Sequence, residues 1–489
     1  MIGATSRSDR VSIPAPSQRS AAFEIPAHLQ WINSNAPITL GSLHRRVVLL
    51  DFWSSSGVHC AHHVADMRYL QDRFNEGVTV VGIHVPKFEH ERQAPVVAAA
   101  VRRLQVRHPV ANDPDFVLWQ HYGIRSWPTA VVIDAAGRMV VQLAGDGSRE
   151  QLVDVIERLL EEAVDTDLRA FAAADVFRAL EPRSVLSFPA RIAADVRRLY
   201  VADTGHNRVL ECSHDGRVLR TFGNGNPDLV DGRGHQASLH APHGLALAQD
   251  ALYVADTGNH AIRRIRLPSG EVETVAGLGH RGHAGSRRMM RPRESALSGP
   301  IDLAVSRDHL YIAMSGCHQV WSLDLVDHTL QVLAGSGRLG AGDGAPMSAS
   351  LAQPSGLAMA GRSLVVADAD ASALRTIALD GGGEVATLIG AGLFEFGYVD
   401  GHRANARMQF PQGLCSDPRG QQIHVADSYN HAIRVFQMRS GELRTLALPT
   451  VRAGRCGAGI GGVVDRQQRR PRGGPLRPFQ GQRQPHCRR

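Results

Sequence analysis

Cys60 is the residue in the first half of the chain best placed for chemistry. It closes the run Ser54-Ser55-Ser56-Gly57-Val58-His59-Cys60, and His59, His62 and His63 crowd it. Such a thiol can act as a single nucleophile or sit as a small packed residue, and packing is the expectation. Histidines at i, i+3 and i+4 could gather a metal ion, but at a helix start they are expected to form a solvated first turn. No metal and no cofactor is therefore expected. The six cysteines, at 60, 212, 317, 415, 456 and 487, lie at least 31 positions apart. That spacing holds no C-x-x-C pair and no zinc-ligand pattern, and it is too sparse for a disulfide scaffold. In the second half, Asp203, Asp256, Asp368 and Asp427 each end a V-A-D run. They are expected to accept backbone N–H bonds at tight turns. Asp231-Gly232, Asp343-Gly344 and Asp400-Gly401 lack the alternating carboxylates of a calcium loop and are expected to be turn residues.

The elements that must position Cys60 read as alternating strands and helices. Val47–Trp53 is a short, nearly continuous apolar run, as a strand buried on both faces requires. Val64, Met67, Leu70 and Phe74 fall at helical spacing and predict a helix over 62–74. A second buried strand is expected over 78–85, then helices over 95–104 and near 116–122. Strands over 129–134 and 139–143, joined at Gly137-Arg138, precede a helix over 149–164. The set predicts an α/β sandwich. Residues 1–22, rich in Ser, Arg and Pro, read as a disordered lead-in and 166–183 as a linker, which places the domain at 24–165.

Asp51–Cys60 followed by a helix resembles the active-site segment of thioredoxin-like proteins, and Ser126-Trp127-Pro128-Thr129 resembles their cis-proline loop. The resemblance spans 45–163. It implies a first cysteine whose pKa is lowered at a helix N-terminus, and a second that resolves the mixed disulfide. The first position here is Gly57; only the resolving position, Cys60, is kept. Dithiol chemistry between 57 and 60 is impossible. The resemblance makes Trp53, Gly57 and His59 the active-site loop. Trp127, Pro128 and Thr129 become the loop opposite it, and Cys60 the candidate catalytic residue.

Internal repeats dominate residues 184–450. L-Y-V-A-D-T-G-H-N-R-V-L at 199–210 recurs at 252–265, 310–321, 364–375 and 423–434. Pro189, Pro242, Pro300, Pro354 and Pro411 precede these units at intervals of 53, 58, 54 and 57 residues. Four short strands per unit, arranged radially, make a β-propeller blade. The units resemble NHL repeats. With the thioredoxin-like segment before them, residues 24–450 resemble the NHL-repeat-containing protein 2 family and its bacterial relatives. That resemblance implies a six-bladed propeller, a cytosolic protein-binding role, and cysteines where Ser56 and Gly57 stand.

Five blades can be counted. Where a sixth should follow, residues 451–489 hold ten Arg, eight Gly and no strand-like run. A change of reading frame is the expected origin of this low-complexity tail; a genuine basic tail or a divergent closing element are the alternatives. An incomplete ring with exposed edge strands and poor solubility would follow.

The formal charge of +7 invites a nucleic-acid reading. The last 39 residues alone carry +9, and the rest of the chain carries −2. Residues 189–450 hold 25 Arg and 25 acidic residues, with Arg287, Arg288, Arg291 and Arg293 as one local basic cluster. Nucleic acid is therefore an unfavoured partner. No run approaches the length of a membrane span or a signal-peptide core, so a cytoplasmic protein without a membrane partner is expected. The expected function is a protein-binding scaffold, with a partner on the propeller loop face and a degenerate redox site. A thiol–disulfide or peroxide-handling enzyme using Cys60 is the alternative, and an RNA-binding propeller the second.

Overall fold

The computed structural model describes residues 11–166, 184–380 and 383–446. Nearly all of the expected linker and the whole of the basic tail lie outside these residues, as do residues 1–10.

The first half is a six-stranded sheet with four helices. Its strands are β1 (Gln30–Ile32), β2 (Val47–Trp53), β3 (Val78–His84), β4 (Val110–Asn112), β5 (Thr129–Ile133) and β6 (Met139–Ala144). They lie in the order β1-β4-β3-β2-β5-β6. β2, β3 and β4 run parallel, and β1, β5 and β6 pair antiparallel to their neighbours. The helices are α1 (Val58–Arg73), α2 (Ala94–Arg103), α3 (Val117–His121) and α4 (Arg149–Asp165). All seven residues of β2 are buried. One face of β2 (Val48, Leu50, Phe52) packs with Leu118 and Tyr122, while the other (Val47, Leu49) packs with Met67 and Leu70 of α1 and Leu152–Leu159 of α4. Strands β1 and β4, three residues each, are too short to show a period and were not expected from sequence.

Two expectations need correction here. Helix α1 starts at Val58 rather than at 62, with extended Gly57 as its N-cap, so Cys60 sits inside the first turn. The lead-in over 11–22 is ordered. Val11 and Ile13 pack on the α4 core, and Ala21 bridges Arg138. Arg19 is buried between Asp134 (3.0 Å) and Glu162 (2.8 Å). Apolar burial and a guanidinium shared by two carboxylates offset the ordering entropy that the composition suggested would win.

The second half is a five-bladed β-propeller over the described residues. The blades span 189–222, 232–276, 300–334, 354–389 and 401–445. The innermost strands begin at Pro189, Pro242, Pro300, Pro354 and Pro411 and pack in that order. Arg191 of the first blade crosses the axis, donating to Asp302 (3.1 Å) and to the carbonyls of Ser355 and Gln412 (2.6 Å each). Ile192 is 66% exposed, whereas Leu245, Leu303 and Leu357 in the same register are 4–8% exposed. Among the described residues, nothing therefore packs on that face of the first blade.

The repeated aspartates accept backbone N–H bonds as expected, but from the approach to the innermost strand. Asp256 takes the N–H of His240 (2.7 Å), Asp368 that of Gln353 (2.7 Å) and Asp427 that of Gln409 (2.8 Å). Each also pairs with a buried arginine on the next strand of its blade: Arg263 at 2.9 Å, Arg375 at 3.3 Å and Arg434 at 2.7 Å. The D-G aspartates complete the set, with Asp231, Asp343 and Asp400 bonding those same arginines at 2.8, 2.7 and 2.5 Å. They also accept from Thr274, Thr387 and Thr445. In the third blade both members of the inner pair change together, to buried Met314 and Trp321. An apolar pair fills the place of an ion pair, as desolvation energetics allow.

Candidate functional site

The thioredoxin-like loop lies under the propeller. Cys60, in the first turn of α1, is 1% exposed and packs with Trp53, Val64 and the ring of Trp127. The N–H of Ser54 donates to its Sγ at 3.4 Å. Burial pushes the thiol up to about 12, although Lys87 pulls in the opposite direction. That is the reverse of an activated thiol, which needs a lowered pKa and access. A Cβ at Gly57 would stand 3.0 Å from Cys60 Sγ and 3.6 Å from Lys87 Nζ. Residue 57 thus adjoins Cys60 but carries no sulfur.

The opposing loop is built as the resemblance implied. The Trp127–Pro128 peptide bond is cis. Thr129 Oγ1 donates to the Ser126 carbonyl at 2.8 Å, and Trp127 Nε1 donates to the Val85 carbonyl at 3.0 Å. The Lys87 ammonium lies 5.7 Å from the Trp127 ring centre, and Trp53 meets His84 edge to face.

The propeller then seals this face. Gln353 of the fourth blade accepts from the Val58 N–H and donates to the Ser56 carbonyl, both at 3.1 Å. Lys87, its side chain 13% exposed, pairs with Asp370 at 3.0 Å; desolvation would lower its pKa, but Asp370 and its neighbours raise it on balance. Phe88 enters a pocket formed by Ala369, Phe396, Phe410 and Tyr429. Glu91, fully buried, accepts from Ser54 Oγ (2.9 Å), the Lys87 N–H (2.8 Å) and Tyr429 OH (3.0 Å). Burial opposes its charge, but His84, the Ser54 and Ser56 hydroxyls and the Lys87 N–H hold its pKa low.

The expectation of a solvated histidine turn is corrected. His63 is buried beside Asp51 (3.5 Å), and His59 and His62 face the propeller. His59 Nδ1 and His62 Nδ1 both meet Asp146 Oδ2, at 2.9 and 3.1 Å. These three atoms lie within 4.8 Å of one another, a spacing a cation could fill. Arg281 Nη1 stands there already, 2.5 Å from Asp146 Oδ2 and 3.0 Å from His62 Nδ1. The guanidinium supplies the positive charge. His59 Nε2 reaches His318 Nε2 at 3.0 Å.

Of the expected site residues, Trp53, Cys60 and Trp127 pack in one cluster, Gly57 adjoins Cys60, and His59 turns to Asp146 and His318. Sequence reasoning missed Lys87, Glu91, Asp146, Arg281 and Gln353, each isolated in sequence from the loop it serves. One signal was available: His260, His318 and His431 follow the same turn in three repeats. Arg287, Arg288, Arg291 and Arg293 are exposed, and Arg291 pairs with Glu294 at 3.1 Å. No helix among the described residues is long and apolar enough to cross a membrane.

Known proteins share both halves. The thioredoxin-like family description matches residues 45–139, and the NHL repeat description matches 239–265 and 408–436. NHL repeat-containing protein 2 of Bos taurus is 36% identical over 460 residues, covering 87% of this chain and 63% of its own length. Protein SUPPRESSOR OF QUENCHING 1, chloroplastic, of Arabidopsis thaliana is 33% identical over 454 residues, covering 87% of this chain and 42% of its own. The chain thus spans less than two thirds of either relative. A solved thioredoxin-like superfamily protein is 26% identical, covering 29% of this chain and 96% of its own, with a TM-score of 0.27.

Proposed function

From homology to NHL repeat-containing protein 2, we propose that this chain is a non-catalytic protein-binding scaffold whose degenerate redox face serves as the docking surface for its own propeller. One observation carries the reading: Gln353 closes on the backbone of Ser56 and Val58, and Cys60 beneath is 1% exposed. A substrate disulfide has no approach to that sulfur, and a thiol pushed up to about 12 is not a thiolate at neutral pH. The propeller turns at 257–259, 315–317 and 428–430 lie on the thioredoxin-like side, where His260 meets His62, the 315–317 turn meets α1 and Tyr429 meets His90. We therefore put the protein partner on the opposite face, where hairpin residues 249–250, 307–308 and 361–362 are exposed. Balanced propeller charge argues against nucleic acid. A cytoplasmic site remains part of the proposal, resting on the cysteine spacing; one relative's name places it in the chloroplast instead.

Insulin-reduction and peroxidase assays on the wild type and Cys60→Ser test the reading. Equal, background-level rates are expected. Thiol-dependent turnover that disappears in Cys60→Ser would overturn it.

A further inference from the structure

Three histidine pairs join the thioredoxin-like domain to the propeller. His59 and His318 meet with Nε2 atoms 3.0 Å apart. The rings of His62 and His260 are 5.6 Å apart, and those of His90 and His431 are 4.6 Å apart. The propeller histidines occupy one repeat position, the left-handed residue that ends each repeat turn, with φ of 48°, 54° and 51° at His260, His318 and His431. Asn207 and Ser372 hold that position in the first and fourth blades, with φ of 52° and 50°. The repeat therefore aims a titratable ring at the same partner domain three times.

We propose that this seam is a pH-released latch: the domains stay docked while the histidine pairs are neutral or singly protonated, and separate when both members of a pair would take a proton. The His59–His318 pair shares one N–H···N bond when neutral and tolerates one added proton, and two imidazolium ions at the spacing of any of the three pairs repel.

The surrounding charges cannot absorb the second proton. His59 and His318 face Asp146 and Lys87. His62 and His260 face Asp146, Arg281, His59, His240 and His280. His90 and His431 face Glu91 and the Tyr429 ring. Arg281 already shares Asp146, and Asp370 already pairs with Lys87. Glu91 is committed to Ser54, Tyr429 and the Lys87 N–H.

In keeping with this, burial and neighbouring cations hold His260 down to about 3 and His318 to about 4, and lower His62 and His90. Separated domains would return His62, His90, His260 and His318 to ordinary histidine values near about 6.5, so below that pH they bind protons the docked form refuses. Docking is complete above about pH 6.5 and weakens as pH falls towards 4, by up to about tenfold per pH unit for each refused proton. The latch does not depend on whether Cys60 is catalytic.

The test uses the full chain between pH 7.5 and 4.5. Amide protection in residues 54–62, corrected for intrinsic exchange, should fall at least about tenfold between pH 7 and 5. Protection of 252–256 in the propeller core should hold, and the radius of gyration from solution scattering should rise. The variant His260→Asn/His318→Asn/His431→Asn keeps the turn conformation, as Asn207 does, and should lose this pH dependence. His59→Gln/His62→Gln/His90→Gln should lose it in the same way from the other side. Protection of 54–62 that is unchanged by pH in the wild type, or a dependence that persists in both triple variants, would overturn the latch.

Discussion

Gln353 grips Ser56 across the domain boundary: its Nε2 donates to the Ser56 carbonyl at 3.1 Å while its Oε1 takes the Val58 N–H at 3.1 Å. The backbone ahead of Cys60 is thus paired with a side chain 297 positions away. Gln353→Leu removes both bonds and leaves a buried carbonyl and N–H without partners, a cost of about 1–3 kcal/mol for each group. Faster native-state labelling of Cys60 by a thiol reagent, read by peptide mass spectrometry, is the expected outcome. An unchanged labelling rate would show that this grip is not what protects the thiol.

Gly57→Cys should restore a disulfide. The Cβ position at 57 is 3.0 Å from Cys60 Sγ, which matches the span of roughly 3 Å across a Cβ–S–S link. Mild oxidation is expected to give an intramolecular bond, reversible by dithiothreitol and visible as a two-hydrogen mass loss on the 54–62 peptide. Lys87 would stand beside the new sulfur.

Phe88→Ala empties the pocket between Ala369, Phe410 and Tyr429. Such truncations cost about 3–5 kcal/mol, and here the loss falls on the interface. The expected result is a lower unfolding midpoint together with increased exchange at 85–91, while the cores of both domains keep their spectra.

Arg375→Met leaves Asp368 as an uncompensated buried carboxylate and breaks the bond to Asp343. Removing one partner of a buried pair typically costs about 3–5 kcal/mol. Urea denaturation should register a loss of that order. In the third blade, where Met314 and Trp321 replace both charges, Met314→Asp alone should be similarly damaging.

Asp51 provides a pH signature of opposite sign to the histidine seam. Burial pushes its carboxyl up to about 6, with His63 pulling down. A raised folded value contributes stability that is full below about pH 4 and lost as pH rises through 6. Asp51→Asn should therefore raise stability at pH 7 by up to about 3 kcal/mol and leave it little changed at pH 4, as measured by urea midpoints.

The strands and repeats were legible in the sequence because their causes are local. The apolar run Val47–Trp53 and the recurring V-A-D units state which residues face a core, and period and turn chemistry need no distant partner. Gly57 in place of an attacking cysteine was equally plain, as was the loop at Trp127-Pro128. The fate of Cys60 was not. Its burial and raised pKa come from packing among Trp53, Val64, Val101 and Trp127, and the engagement of His59 and His62 depends on Asp146 of the same domain and on Arg281 and His318 of the propeller. The paired roles of Arg263 with Asp231, and of Arg434 with Asp400, were hidden for the same reason. Such pairs are set by sheet register and blade packing across more than thirty positions, which composition and spacing do not encode. Sequence alone determined which folds this chain carries and which sulfur it lacks; tertiary structure decided that the remaining sulfur lies beneath the propeller, because only there do the loop's free backbone groups and buried charges find partners.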